Sequence, residues 1–451
     1  MKNTAEPDRN NHGFVFDVRR YGAAGDGRVL DTRPLQAAID SCQAAGGGVV
    51  FCPPGTYLIG TIELKSNVEL HLSAGSKLKA STKRAHYRSI GFGRLETEHL
   101  VMAKNSSNIA ITGQGTIDGS GSVFFERVPG QQRLRARAWR PFHMLTFIRC
   151  NNLLIRDVHL IDSPCYTIWP LGCALVRIQG VTIKSNRWGP NTDGIDPDCC
   201  RDVFISDCSI DCGDDAIALK SDTYNLGRPA ACENVTVTNC VLRTTCCGIR
   251  IGYEGDGPIR NCTFSNLVMH DTRTGVNMLV PGKVHQTSGT LSLHILHGPS
   301  IENINFSNLI LDTKIAFYLW IGDEAAKPGG IRNISIADVS AKTEDGCYIG
   351  GARKNWINDL RLSNVALTIT GKLSPSFEAG VPYPMPAFGN WPTHGIPYAW
   401  FCRYARGLSL NNVMVEFRKT KDPWLSALRT EEVRELNVHN LTTRGERFPP
   451  A

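Results

Sequence analysis

The sequence predicts an all-β fold, a parallel β-helix (a β-solenoid) with a capping helix at its N-terminal end. Three observations carry that expectation. A strand-turn-strand pattern recurs from residue 107 to near the C-terminus, Asn or Asp recurs at its turns, and 451 residues with 43 glycines suit a solenoid that grows in one dimension. Such growth lets residues 14–451 form a single domain despite their number, after a flexible N-terminus at 1–13.

The elements follow in order. FVFDV reads as a first strand, and LDTRPLQAAIDSCQAA as an amphipathic helix: Asp31 or Thr32 can cap it, and Leu35, Ala38 and Ile39 share one face. GGGVVFCPPGTYLIG and TIELKSNVELHLSAGSKL then alternate apolar and polar residues between Gly and Pro breaks, as strands do. From there the repeat takes over: SNIAITGQGTI, NNLLIRDVHL, ALVRIQGVTI, RDVFISDCSI, ENVTVTNCVL, RNCTFSNLVM, ENINFSNLIL, RNISIADVSA, NDLRLSNVAL, RGLSLNNVMV and RELNVHNLTT. Most spacings match one coil of a parallel β-helix and are too short for a propeller blade. Asn tolerates a left-handed backbone, so it is expected to terminate each strand.

Three insertions break the period: 121–141, which is basic and aromatic, 279–300, and 371–400, which is rich in Pro and Gly. The first two are read as walls of a cleft.

Composition narrows the class. Hydrophobic residues at 42% and charged residues at 20% describe an ordered chain, and the net charge of +7 is a modest excess that suits an acidic polysaccharide no better than a solvated surface. No nucleic-acid or membrane module is visible. The first twelve residues hold no apolar run, which predicts a cytoplasmic protein, or a secreted or periplasmic one if a leader precedes them. The sixteen cysteines sit mostly at strand positions and include no C-x-x-C pair, so they are expected to be reduced core thiols stacked from coil to coil, with no metal or other cofactor.

The chemistry concentrates in Asn191–Ser221. NTDGID and GDDAIALKS carry Asp193, Asp214 and Asp215 about one coil apart, so stacking brings the three carboxylates close. Glycoside cleavage needs such a cluster: one acid protonates the leaving oxygen, a second carboxylate activates water or attacks the sugar, and crowding keeps one of them protonated. Asp196, Asp198, Asp211 and Asp222 read as solvated or turn-capping.

These motifs, together with the FDVRRYGAAGDG…LDTRPLQAAID and RPFHMLTFIRCNNLLIRDVHLIDSP segments, resemble the polygalacturonase-like, pectin-cleaving glycoside hydrolases of family 28, over roughly residues 14 to 440. The resemblance implies a right-handed parallel β-helix and hydrolysis with inversion. It implies Asp214 as general acid, with Asp193 and Asp215 holding the attacking water. The substrate-binding residues expected are Asn191, Lys220, Cys247, Arg250, Arg273 and Asn277. Cys247 stands where the family has a histidine. Asn277 and Leu279 stand where it has the arginine and lysine that hold a sugar carboxylate, and neither replaces that charge. Arg250, Arg273 or Lys283 are the candidate compensating cations, and Trp188, Tyr253, Tyr318 and Trp320 the candidate stacking rings.

The expected function is therefore a glycosidase acting on a pectin-related or other oligo- or polysaccharide, exo action being compatible and galacturonate not required. The alternatives are a β-elimination lyase and a catalytically inactive carbohydrate-binding β-helix.

Overall fold

The computed structural model describes residues 14–92, 95–281, 284–288, 291–295, 298–322, 329–371, 398–418, 424 and 426–445. The N-terminal segment 1–13, Lys283 and most of the insertion 371–400 lie outside the described residues. The chain divides into two compact units: the described residues up to Ala216 with Asn225–Ala230, and Ile217–Tyr224 with the described residues from Ala231 on. Both are wound as parallel coils of a right-handed β-helix, the hand that parallel crossovers take because strands twist to the right.

In the first unit, strands Val15–Asp17, Gly48–Cys52, Val68–Leu72, Ser107–Thr112, Asn151–Arg156, Ala174–Gln179 and Arg201–Ser206 stack in parallel along one face. A second face runs from Gly55–Ile59 through Ser76–Ala80, Thr116–Asp118, His159–Ile161 and Thr182–Lys184 to Ser209–Cys212. The third stacks Ile62–Glu63, Leu95–Lys104, His143–Ile148 and Tyr166–Leu171. Alternation places every second side chain inside, where register makes columns such as Ile111, Ile155, Ile178 and Ile205, all buried. Each such side chain contributes about 1.5–3 kcal/mol of burial.

The helix Thr32–Ala44 packs Leu35, Ala38, Ile39 and Cys42 inward, as its periodicity predicts. Asp31 occupies the N-cap position without capping the helix. Its buried carboxylate instead accepts the amides of Ala24 at 2.7 Å and Gly25 at 3.0 Å, tying down the glycine turn.

The second unit stacks Cys232–Thr244, Pro258–Val280, Ser300–Ile321, Gly330–Thr343, Ile357–Ile369, Tyr398–Phe417 and Asn437–Arg444 in parallel. Its asparagines adopt the left-handed conformation expected, but they bend strands without ending them: Asn234 and Asn239 lie inside the single strand Cys232–Thr244. One left-handed residue redirects the chain while its neighbours keep their ladder bonds. The Asn side chains form ladders of their own, Asn333 donating to Asn303 at 2.8 Å and Asn303 to Asn261 at 3.0 Å.

All sixteen cysteines are buried. Coil-to-coil sulfur stacking holds for Cys150, Cys173 and Cys200, where burial drives the Cys173 thiol far up. At Cys262 register instead sets cysteine between Val235 and Ile304.

Candidate active site

NTDGID and GDDA lie on neighbouring coils in parallel register. The Gly194 amide donates to the Asp215 carbonyl at 2.9 Å and the Ile195 amide to that of Ala216 at 3.0 Å. Thr192 ties the two motifs: its hydroxyl oxygen accepts the Gly213 amide at 3.1 Å and lies 3.1 Å from the Gly189 carbonyl. Both motif glycines are required by close approach. A Cβ on Gly213 would fall 2.4 Å from the Asn186 carbonyl oxygen, and one on Gly194 2.3 Å from that of Ala216.

This backbone brings Asp193, Asp214 and Asp215 together, with carboxylate oxygens within 4.8 Å of one another. Asp193 and Asp215 are buried at 3% exposure, and the Asp214 side chain is 13% exposed. Three carboxylates so close repel one another when ionised. The same oxygens are a set that a hard divalent cation takes, but the positive charge at hand is the guanidinium of Arg133.

Arg133 forms an ion pair with Asp214, whose Oδ2 also accepts the Asn191 amide at 3.2 Å. Arg140 spans the loop beneath, donating to the carbonyls of Pro164 and Pro190 and, at 2.9 Å, to Asn191 Oδ1. Both arginines come from the insertion 121–141, which folds as a short hairpin, Phe125–Glu126 against Arg135–Ala136, and reaches Asp214 through Arg133. Neither was singled out from the sequence. The run RLRARAWR was the signal, but nothing in the spacing says which arginine meets which acid.

Below the acids runs a ring column. His143 stands in register with His99 and Tyr166, and its ring stacks on Tyr166 with centroids 4.5 Å apart. His99 sits between the hydroxyls of Thr97 (2.8 Å) and Thr146 (2.9 Å), and burial pushes its pKa down to about 3, so it is neutral. The solvated reading of Asp196, Asp198 and Asp222 is overturned: all three are buried, and Asp198 accepts the Trp169 indole N–H at 3.3 Å. Coil interiors near the loop leave no water-facing side for them.

The other expected binding residues belong to the second unit. Arg250 and Asn277 are register partners, followed by Tyr318, Tyr348 and Phe401. Arg250 is buried and donates to Cys247 Sγ at 3.2 Å. Lys220 is likewise buried, 3.6 Å from Glu254, and the Arg273 amide donates to the Cys246 carbonyl. Tyr253, Tyr318 and Trp320 pack into a buried aromatic cluster with Tyr348 and Phe401. Trp188, in the first unit, is 42% exposed and lines a cavity.

Comparison with known proteins gives the family of the chain. The chain is 28% identical over 281 residues to a Vitis vinifera protein named "Probable polygalacturonase", matching 57% of this chain and 55% of the relative. It is 23% identical over 328 residues to an exopolygalacturonase of Zea mays, matching 66% and 76%. The chain thus spans little more than half the grape protein's length, and 60% of an Arabidopsis thaliana relative's. Among solved structures the fold is similar to that of the exopolygalacturonase of Thermotoga maritima, at TM-score 0.63 and 23% identity over 98% of this chain and 94% of that one. It is also similar to that of the family 28 exopolygalacturonase of Yersinia enterocolitica, at TM-score 0.68 and 20% identity over 97% and 79%. Residues 42–378 match the sequence profile of glycosyl hydrolases family 28, and the chain belongs to that family.

Proposed function

We propose that this protein hydrolyses glycosidic bonds of a pectic galacturonan with inversion, Asp214 acting as general acid and Asp193 and Asp215 holding the attacking water. The observation that carries the reading is the set of three carboxylates with oxygens within 4.8 Å, presented by glycine-tight turns of adjacent coils. In the free protein Arg133 pairs with Asp214. A sugar carboxylate entering the cleft competes for that guanidinium, and Asp214, relieved of its cation and beside two other acids, holds the proton that the leaving oxygen takes. Arg133 is thereby a cation for the sugar carboxylate within the unit that carries the acids. We also retain Asn191, Lys220, Cys247, Arg250, Arg273 and Asn277 as substrate-binding residues, Arg250 being the cation next in register to Asn277. Pectin is a cell-wall polymer, so the reading favours a secreted or periplasmic location over a cytoplasmic one.

The test is reducing-sugar release from oligogalacturonides by wild type and Asp214→Asn. General-acid catalysis contributes about 10²–10⁴-fold, so a loss of that size is expected. Unchanged turnover in the variant sinks the assignment, and product absorbing as an unsaturated uronide favours the lyase. One observation supports a second stereochemical reading: the oxygens are nearer than the roughly 6.5–9.5 Å usual between carboxyl groups of inverting enzymes, and suit the roughly 5 Å of retaining ones. Proton NMR of the first-formed anomer separates the two, inversion being expected from family membership.

A further inference from the structure

Beside the acids, the insertion hairpin and the turn before Asn191 enclose a cavity of about 490 Å³, lined among others by Phe125, Arg127, Gln131, Gln132, Asn186 and Trp188. Its volume falls within the roughly 300–1,000 Å³ of small-ligand sites. Its position is tied to the acids through the backbone. Leu134, also in the lining, follows Arg133 and donates its amide to the Trp188 carbonyl at 2.8 Å, while Asn186 bears the carbonyl against which Gly213 packs.

The lining has the chemistry of an acidic sugar site. Trp188 leaves 42% of its surface exposed, although burial would stabilise so large a ring, and its backbone is held by Leu134 and by Asn186 Oδ1, which accepts the Trp188 amide at 3.0 Å. An exposed indole on a backbone so held matches the apolar C–H face of a pyranose. The exposed amides of Gln131 and Gln132 offer donors and acceptors to ring hydroxyls. Among the lining residues Arg127 alone is charged, so the cavity is positive, and a guanidinium binds a carboxylate through paired hydrogen bonds.

We propose that this cavity is a uronate subsite adjoining the cleavage point, in which Trp188 carries the ring of a neighbouring galacturonate and Arg127 takes its carboxylate. The inference rests on the pectic reading of the acids, and it explains what the basic insertion adds to the coil.

The experiment measures trigalacturonate binding by calorimetry in the Asp214→Asn background, where substrate is not consumed. Adding Trp188→Ala or Arg127→Ala is expected to weaken binding at least about tenfold, with melting temperature unchanged because both side chains are exposed, and Trp188→Phe is expected to restore part of the loss. Arg127→Ala is expected to leave binding of the neutral galactotriose unaltered. Affinities equal to that of the Asp214→Asn parent overturn the subsite, as does a parent that binds no trigalacturonate. Failure of the hydrolase reading looks different: wild type releases no reducing ends from polygalacturonate while the binding losses persist.

Discussion

Arg133 and Asp214 form an ion pair that joins the hairpin insertion to the strand turn bearing the proposed general acid. The pair links substrate charge to proton delivery, because the guanidinium that steadies the Asp214 anion is also suited to a sugar carboxylate.

Replacing Arg133 with Gln has a signed consequence. The cation favours the ionised form of Asp214, so its removal keeps Asp214 protonated to higher pH, and the alkaline limb of the kcat/KM profile moves upward. The value of kcat/KM on oligogalacturonides is expected to fall about 10–100-fold through lost binding of the carboxylate. An alkaline limb that stays in place shows that another group is the acid.

Gly213→Ala tests the close packing of the two motifs. The new Cβ meets the Asn186 carbonyl oxygen at 2.4 Å and the Arg187 carbonyl oxygen at 2.8 Å, both backbone atoms, so the Asp214–Asp215 turn has to move. A displacement of about 1 Å costs on the order of 10²-fold in rate. Assay of the purified, folded variant checks this, and wild-type turnover refutes it.

His99 sets an acid limit on stability. Its folded pKa is depressed to about 3 from the ordinary 6.5, so below pH 6.5 the unfolded chain binds a proton that the native state refuses. Stability then falls as pH drops from about 6.5 toward 3, by about 1.4 kcal/mol per pH unit from this group alone. Urea titrations at pH 7 and pH 4.5 should show that slope reduced in His99→Gln, which is less stable at pH 7 but less sensitive to acid. An identical slope in both proteins removes His99 as its source.

Asn303→Ala removes two ladder bonds and places alanine at φ 57°. Left-handed backbone costs about 1–2 kcal/mol and each of the two hydrogen bonds about 1, for an expected loss of roughly 3–4 kcal/mol. Asn303→Gly is expected to recover the conformational part, because glycine accepts the positive φ. Equal loss in both variants refutes the split.

Much of the coil was legible from the chain itself. The period, the apolar alternation and the left-handed asparagines are local properties, repeated often enough to be read without tertiary knowledge. The same holds for the buried face of Thr32–Ala44, whose 3.6-residue rhythm is written in Leu35, Ala38 and Ile39. Asp31 was less legible, because a carboxylate at a helix start has several amides in reach and the glycine turn, seven residues earlier, captured it.

Asp193, Asp214 and Asp215 were named by sequence because their motifs lie one coil apart, and coil length converts that separation into contact. The acids' environment was decided by tertiary structure alone. Arg133 reaches Asp214 from 81 positions away, Arg140 reaches Asn191 from 51, and Trp188 stays exposed where Tyr318 and Trp320 are buried. Strand and turn propensities act over a few neighbouring residues, so the sequence determined the coil and the acids it carries. The partners of those acids depend on how an aperiodic insertion folds back across several coils, and only the completed packing selects them.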